Sequence, residues 1–255
     1  MSKRISNKLV IAAIITCFFF HLFNTSASAA TSNENLLIQT FHEDVTGSGA
    51  KDTISLKGTP LSKDTDYYQN ITLNITTSEG KELSFPLGGG YHPELSFVDL
   101  NHDQINDIFF TDSGSSFNEK YPYKAFSLKN GQLKELPKPA SPFVKGDFSN
   151  KFKINLQLDP SDTPMTIDLT EKAQQYIQIG VYDQSGQLLK NPASISVGTI
   201  SKIEPVFLGK QQGYALRSYL PIGGISKDDY LGSIETLWYF KNDQWQNLQT
   251  QWQPK

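Results

Sequence analysis

Asp99-Leu100-Asn101-His102-Asp103-Gln104-Ile105-Asn106-Asp107 carries oxygen-bearing side chains at relative positions 1, 3, 5 and 9. It lies between two runs rich in apolar residues, Leu95–Val98 and Ile105–Phe110. A weaker copy, Asp44-Val45-Thr46-Gly47-Ser48-Gly49-Ala50-Lys51-Asp52, stands 55 residues earlier. A tight loop of this spacing aims side chains 1, 3 and 5 inward, adds the carbonyl of residue 7 and closes with a carboxylate at 9. Calcium takes six to eight hard oxygen ligands, and such a loop supplies them. The expected ligands are Asp99, Asn101, Asp103, the Ile105 carbonyl and Asp107 in the stronger loop. In the weaker loop they are Asp44, Thr46, Ser48, the Ala50 carbonyl and Asp52. Three carboxylates against two predict tighter binding at the loop that starts at 99. Neither loop is an EF-hand, because position 12 is Phe110 or Ser55 where that loop needs a bidentate glutamate. The competing reading is two polar turns capped by their own side chains.

Outward from these loops the chain is made of short runs rich in Ile, Leu, Val, Phe, Tyr and Thr, cut by Gly, Asn, Asp and Pro. Leu36–Phe41 and Thr53–Leu56 flank the first loop, and Asn70–Thr77 alternates apolar and polar residues before turning through Ser78-Glu79-Gly80 into Glu82–Pro86. Hairpins are expected at Tyr123–Leu128 with Leu133–Leu136, at Ile177–Tyr182 with Gln187–Leu189, and at Glu235–Phe240 with Trp245–Leu248. One short helical turn is expected at Thr170–Tyr176, capped by Thr170. The chain reads as all-β.

A Pro-rich bridge, residues 137–142, divides residues 30–255 into halves at about 30–136 and 143–255. Aspartate-led turns open at 44 and 99, a reduced form lies around Asp147, and 205–216 keeps the flanks without the ligands. Starting points near 44, 99, 147 and 208 are spaced by 55, 48 and 61 residues, each spacing holding about the content of one four-stranded propeller blade. The expected architecture is a single β-propeller-like domain of about four four-stranded units in two halves; the alternative is two packed antiparallel β subdomains.

The loop from Asp99 to Asp107 resembles the D-x-[DN]-x-D-G-x-x-D loop of the FG-GAP and VCBS repeat families in every liganding position. The loop from Asp44 to Asp52 matches two of the four side chains. The resemblance implies a secreted, propeller-like protein whose calcium is structural, with adhesion or ligand binding among the family's roles. One departure is plain: the family's glycine after the third ligand is Gly49 in one loop and Gln104 in the other. A left-handed residue other than glycine costs about 1–2 kcal/mol, so the second loop either turns differently or tolerates that strain.

Residues 1–29 read as a signal peptide cleaved near Ala29: Lys3, Arg4 and Lys8 precede an apolar run from Leu9 to Phe20, and Ala27-Ser28-Ala29 supplies the small residues. The run is shorter than the roughly 20 residues that span a bilayer. Removing it takes three basic residues and no acid, so the net charge of −3 falls to about −6 and the one cysteine, Cys17, is lost. A protein of this kind is expected outside the cell or in the envelope of a bacterium, held together by its core and by ions rather than disulfides. Its acidity argues against nucleic acid, and no further hydrophobic segment argues for membrane insertion of the mature chain.

Motifs for nucleophilic, zinc-dependent or nucleotide chemistry are missing from the sequence. Three features compete with turn or core roles. His92 and Glu94 follow the glycine run 88–90; Asp228, Asp229 and Glu235 could serve a hydrolase as a carboxylate pair; Trp238, Trp245 and Trp252 could stack on sugars. The expectation is a non-enzymatic binding or envelope-associated protein with calcium and an unidentified protein or carbohydrate ligand. The alternatives are a secreted polysaccharide hydrolase and a calcium-dependent adhesion module.

Overall fold

A computed structural model describes residues 35–112, 123–129, 131–189, 194–226 and 228–255. The signal-peptide expectation at 1–29 lies outside the described residues. Asn33–Lys255 form one compact unit.

The chain is all-β and lays down four antiparallel sheets in succession. The first is β1 (Leu36–Glu43), β2 (Asp52–Pro60), β3 (Tyr67–Thr76) and β4 (Glu82–Tyr91), paired in chain order. The second is β5 (Glu94–Val98), β6 (Asp107–Thr111), β7 (Tyr123–Lys129) and β8 (Gln132–Glu135), again in order. The third contains β9 (Lys145–Ser149), β10 (Lys153–Gln157) and β11 (Met165–Asp168), followed by a 3-10 turn at Thr170–Lys172 and helix α1 (Ala173–Gln178). In the fourth, β12 (Ser196–Val197) and β13 (Lys202–Gly209) both pair with β14 (Gly213–Gly223), which continues to β15 (Tyr230–Lys241) and β16 (Gln244–Pro254). Residues 194–197 join the last two sheets. Ser194 bridges Asp147 of β9 and the Ile195 N–H donates to the Gly146 carbonyl, after which Ser196 pairs with Gly223.

Two apolar clusters hold the sheets together. Ile54, Leu56, Ile71, Leu73 and Ile75 of the first sheet pack on Ile108, Phe110, Phe126 and Leu128 of the second. The other face of the second sheet presents Phe109, Tyr123 and Ala125 to a larger cluster that includes Ile154, Tyr176, Leu216 and Ile234. Strand β6 is therefore buried on both faces, and period-2 alternation sends Phe109 one way and Ile108 and Phe110 the other. The first sheet keeps a polar outer face, with Thr53, Ser55 and Lys57 alternating against its buried isoleucines and leucines.

Several expectations change here. Ile177–Tyr182 is not a strand: Ile177 lies in α1, and only a single bridge joins Tyr182 to Leu188. The chain there turns on Asp183, whose carboxylate accepts the Ser185 and Gln187 N–H groups. Thr170 is not the cap; its own N–H donates to Asp168 Oδ1 at 2.7 Å. The glycines at 88–90 belong to β4, where the Tyr67 hydroxyl would lie 2.5 Å from a Cβ on Gly89. Asp147 sits inside β9 opposite Asn155 and does not open the turn that follows. The 137–142 bridge does connect the second sheet to the third, yet the halves share one core through the second sheet.

Candidate functional site

The two aspartate-led loops are the first connections of the first and second sheets, and they are one construction made twice. Position 9 is the opening residue of the return strand in each case, Asp52 of β2 and Asp107 of β6, and both are fully buried. The Asp52 carboxylate accepts the Val45 and Thr46 N–H groups at 3.0 and 3.1 Å; Asp107 accepts those of Leu100 and Asn101 at 2.9 and 3.1 Å. Position 2 is apolar and wholly buried in both, Val45 and Leu100, which pins the loop to the core. The position-1 carboxylate accepts N–H groups from across the turn. Asp44 takes those of Gly47, Ser48 and Gly49, and Asp99 those of Asp103 and Gln104. Position 3 donates to the position-9 carboxylate, through Thr46 Oγ1 at 3.0 Å and Asn101 Nδ2 at 3.1 Å. Position 5 accepts the position-7 N–H, Ala50 to Ser48 Oγ and Ile105 to Asp103 Oδ1.

The backbone matches as well. Positions 4 and 6 are left-handed in both loops: Gly47 (φ 71°) and Gly49 (φ 81°) in one, His102 (φ 62°) and Gln104 (φ 71°) in the other. The second loop thus keeps the same turn and tolerates two non-glycine residues in a conformation that disfavours them. At position 4 the glycine has a further reason. A Cβ on Gly47 would lie 2.5 Å from Ile105 Cδ1, so the second loop's position 7 covers the first loop's position 4.

The electrostatics of the two loops differ. Partial burial alone would raise the Asp44 carboxyl, but N–H groups from Gly49, Gly47 and Ser48 outweigh it and hold the group below its usual range. Burial pushes the Asp107 carboxyl up to about 7. The Leu100 and Asn101 N–H groups and the Ser127 hydroxyl pull it back, and the negative charge of Asp103 adds to the rise. Lys129 Nζ stands 3.6 Å from Asp103 Oδ2, which compensates the loop only partly.

Among the described residues no group of three or more His, Cys, Asp and Glu side chains forms a metal cluster. The donor chemistry of the second loop nevertheless fits a hard cation. It offers only oxygen ligands, and it contains a buried carboxylate whose charge its neighbours do not fully compensate. Ser127 and Lys129, which complete this environment, and Ser78, whose N–H donates to Asp52 Oδ1 at 2.8 Å, lie 20–26 residues from their loop partners. Spacing within the loops carries no signal for them.

His102, at position 4 of the second loop, packs against the fourth sheet. Its ring stacks on Tyr239 of β15 with centroids 4.4 Å apart, and Gly213 of β14 leaves room for it. Two cavities border the second sheet. One of about 280 Å³ is bounded by Asn101, Asp103, Lys129, Lys134, Asn242 and Asp243, and so borders the second loop. A larger one of about 380 Å³ runs between β5 and β13, with His92, Glu94, Lys202 and Glu204 at its walls. His92 Nε2 is 3.6 Å from Asp66 Oδ2 across an exposed surface.

The hydrolase carboxylates do not converge. Asp229 is buried and binds the Tyr176 hydroxyl and Lys172 Nζ, the latter at 2.5 Å. Glu235 faces Arg217 at 3.3 Å and accepts the Gln251 amide at 3.1 Å. Six residues of extended chain separate the two by about 20 Å, well beyond the roughly 10 Å limit for a glycosidase pair. The tryptophans serve the core. Trp238 is buried and donates to Ser218 Oγ, Trp252 packs on the larger cluster, and Trp245 donates to the Pro137 carbonyl at 2.6 Å, tying the bridge to the last hairpin.

Residues 142–253, the third and fourth sheets, match the family model of the YybI C-terminal domain. The chain is also similar to the uncharacterized protein YybI of Bacillus subtilis (strain 168), 28% identical over 205 residues that cover 76% of each chain. No solved structure matches.

Proposed function

We propose that this is a secreted, non-enzymatic β-repeat protein of the FG-GAP/VCBS kind. In this reading the loops 44–52 and 99–107 hold structural calcium, and the protein acts by binding a protein or carbohydrate outside the cell or in its envelope. The observation that carries the proposal is the duplicated loop, in which positions 1, 3, 5 and 9 take corresponding hydrogen-bonding roles around a buried aspartate. The four sheets are the four blades. This count is supported by four successive antiparallel units, each of which has a turn near 44, 99, 150 or 210 as the first connection of its main strands. Asp99, Asn101, Asp103, the Ile105 carbonyl and Asp107 hold one ion; Asp44, Thr46, Ser48, the Ala50 carbonyl and Asp52 hold a weaker one. The cavity beside Asn101 and Asp103 is the ligand surface closest to the metal, and it couples ligand binding to calcium.

Extracellular calcium modules bind at about 10⁻⁴–10⁻³ M. At millimolar calcium and a Kd near 10⁻⁴ M, linkage adds about 1.4 kcal/mol per site, or roughly 3–5 °C in melting temperature. Calorimetric titration of residues 30–255 with calcium, paired with melting curves, tests this. Asp99→Asn and Asp107→Asn keep a hydrogen-bond acceptor while removing charge, and each should abolish the heat of the tighter site. A wild-type protein that gives no heat, and melts identically in calcium and chelator, overturns the proposal.

A further inference from the structure

The longest sheet edge among the described residues is β16, eleven residues that pair only with β15 and end on Pro254. An edge strand exposes a row of unpaired N–H and C=O groups, and proteins normally blunt it with charge, proline or brevity. Elsewhere such devices are present. Strands β8 and β11 are four residues long, and β4 carries Pro86 with three glycines. From Gln244 to Gln253, β16 has no charged residue and no proline. A bulge at Leu248 leaves Gln249–Gln253 as its regular stretch. In that stretch Gln249, Gln251 and Gln253 share one face, and Trp252, which packs toward the core, lies on the other.

We infer that β16 is a self-association edge whose partner is the same strand of a second copy, paired antiparallel about a two-fold axis at Gln251. The sequence is complementary to itself in that register. Gln249 falls opposite Gln253 of the second copy, and Gln251 opposite its own equivalent. Thr250 falls opposite Trp252. A glutamine amide is both donor and acceptor, so each opposed pair can bond without a second residue type. Within one strand the Gln249 amide donates to Gln251 Oε1 at 3.1 Å, and this bond must be exchanged for those across the axis. An isologous contact of this kind closes on itself and stops at a dimer. The uncharged edge also permits two acidic molecules to approach there, and exposed Leu248 falls opposite Pro254 of the second copy.

The test is the mass of the compact unit, residues 33–255, by light scattering over about a hundredfold concentration range in the micromolar region. Gln251→Lys keeps a partner inside its own sheet, because Glu235 faces that position, but opposes two ammonium groups at the two-fold axis. Gln251→Cys places a thiol at the axis of a unit that has no other cysteine. The expected result is a wild-type dimer, an approximately tenfold weaker dimer for Gln251→Lys whose melting temperature matches the wild type at concentrations where both are dissociated, and a disulfide-linked dimer for oxidised Gln251→Cys. A monomer throughout the range, or a dimer that ignores either variant, overturns the inference.

Discussion

Asp107 joins the two roles the second loop can play, because its burial favours either a retained proton or a bound cation. Its ordinary value of 3.8 rises to about 7 through burial, so the folded protein retains the proton where the unfolded chain has already released it. The stabilising effect is complete below about pH 4 and lost as pH rises through 7. Metal-free protein should therefore lose stability between pH 4 and 7, by on the order of 3–4 kcal/mol if this group acted alone. Asp107→Asn should flatten the slope, as read from urea melts at several pH values. Saturating calcium should reverse it, since the bound ion favours the ionised form. A slope that is the same in wild type, variant and calcium-loaded protein would assign the pH dependence elsewhere. Much of this loop is legible in the order of its residues, because the capping hydrogen bonds span no more than seven positions. The raised carboxyl is not, since the burial that raises it comes from packing between sheets, and Ser127, which moderates it, reaches it from another strand.

At the scale of an element, the loops depend on one another. Gly47 is left-handed and lies under the Ile105 side chain, so Gly47→Ala brings both a strained φ and an overlap. The expected cost is about 2–3 kcal/mol. Adding Ile105→Ala should recover the overlap part and leave about 1 kcal/mol of backbone strain. Denaturant melts of the two single variants and the double variant would measure this coupling; strict additivity would show that the loops do not touch in solution. Hairpins were readable wherever apolar alternation met a turn signal, as at β3–β4 and β15–β16. The segment 177–189 was misleading for a physical reason. Its apolar residues Ile177, Val181 and Tyr182 suit a strand, but Tyr176 and Tyr182 meet edge-on with centroids 6.3 Å apart in the larger core, which a helix end and an Asp183 turn satisfy better.

For the whole molecule, the second sheet is the shared wall. It gives Leu100, Phe109, Tyr123, Ala125 and Leu136 to the cluster that the third and fourth sheets complete. Stripping five such side chains from a core costs on the order of 10 kcal/mol, comparable to the entire stability of a domain. Residues 142–255, although they contain the segment that matches a family model, should therefore not fold cooperatively alone. Their circular dichroism melt should be broad, and mixing with residues 33–136 should restore a sharp one. A cooperative melt of the isolated fragment would show that its core closes without the second sheet.

By itself the sequence determined the β class, most of the turns, the bridge at 137–142 and the duplicated aspartate loop. These rest on period-2 alternation, backbone preferences of Gly, Asn and Asp, and hydrogen bonds between close neighbours in the chain. Tertiary structure decided which side chains became core and which stayed available. It stacked His102 on Tyr239, closed Asp229 with Lys172 and Tyr176, drew Trp245 to Pro137, and buried β6 on both faces. Those partners stand roughly 50 to 140 residues apart, and no local pattern encodes them. They follow from how four twisted sheets must stack to remove their apolar faces from water.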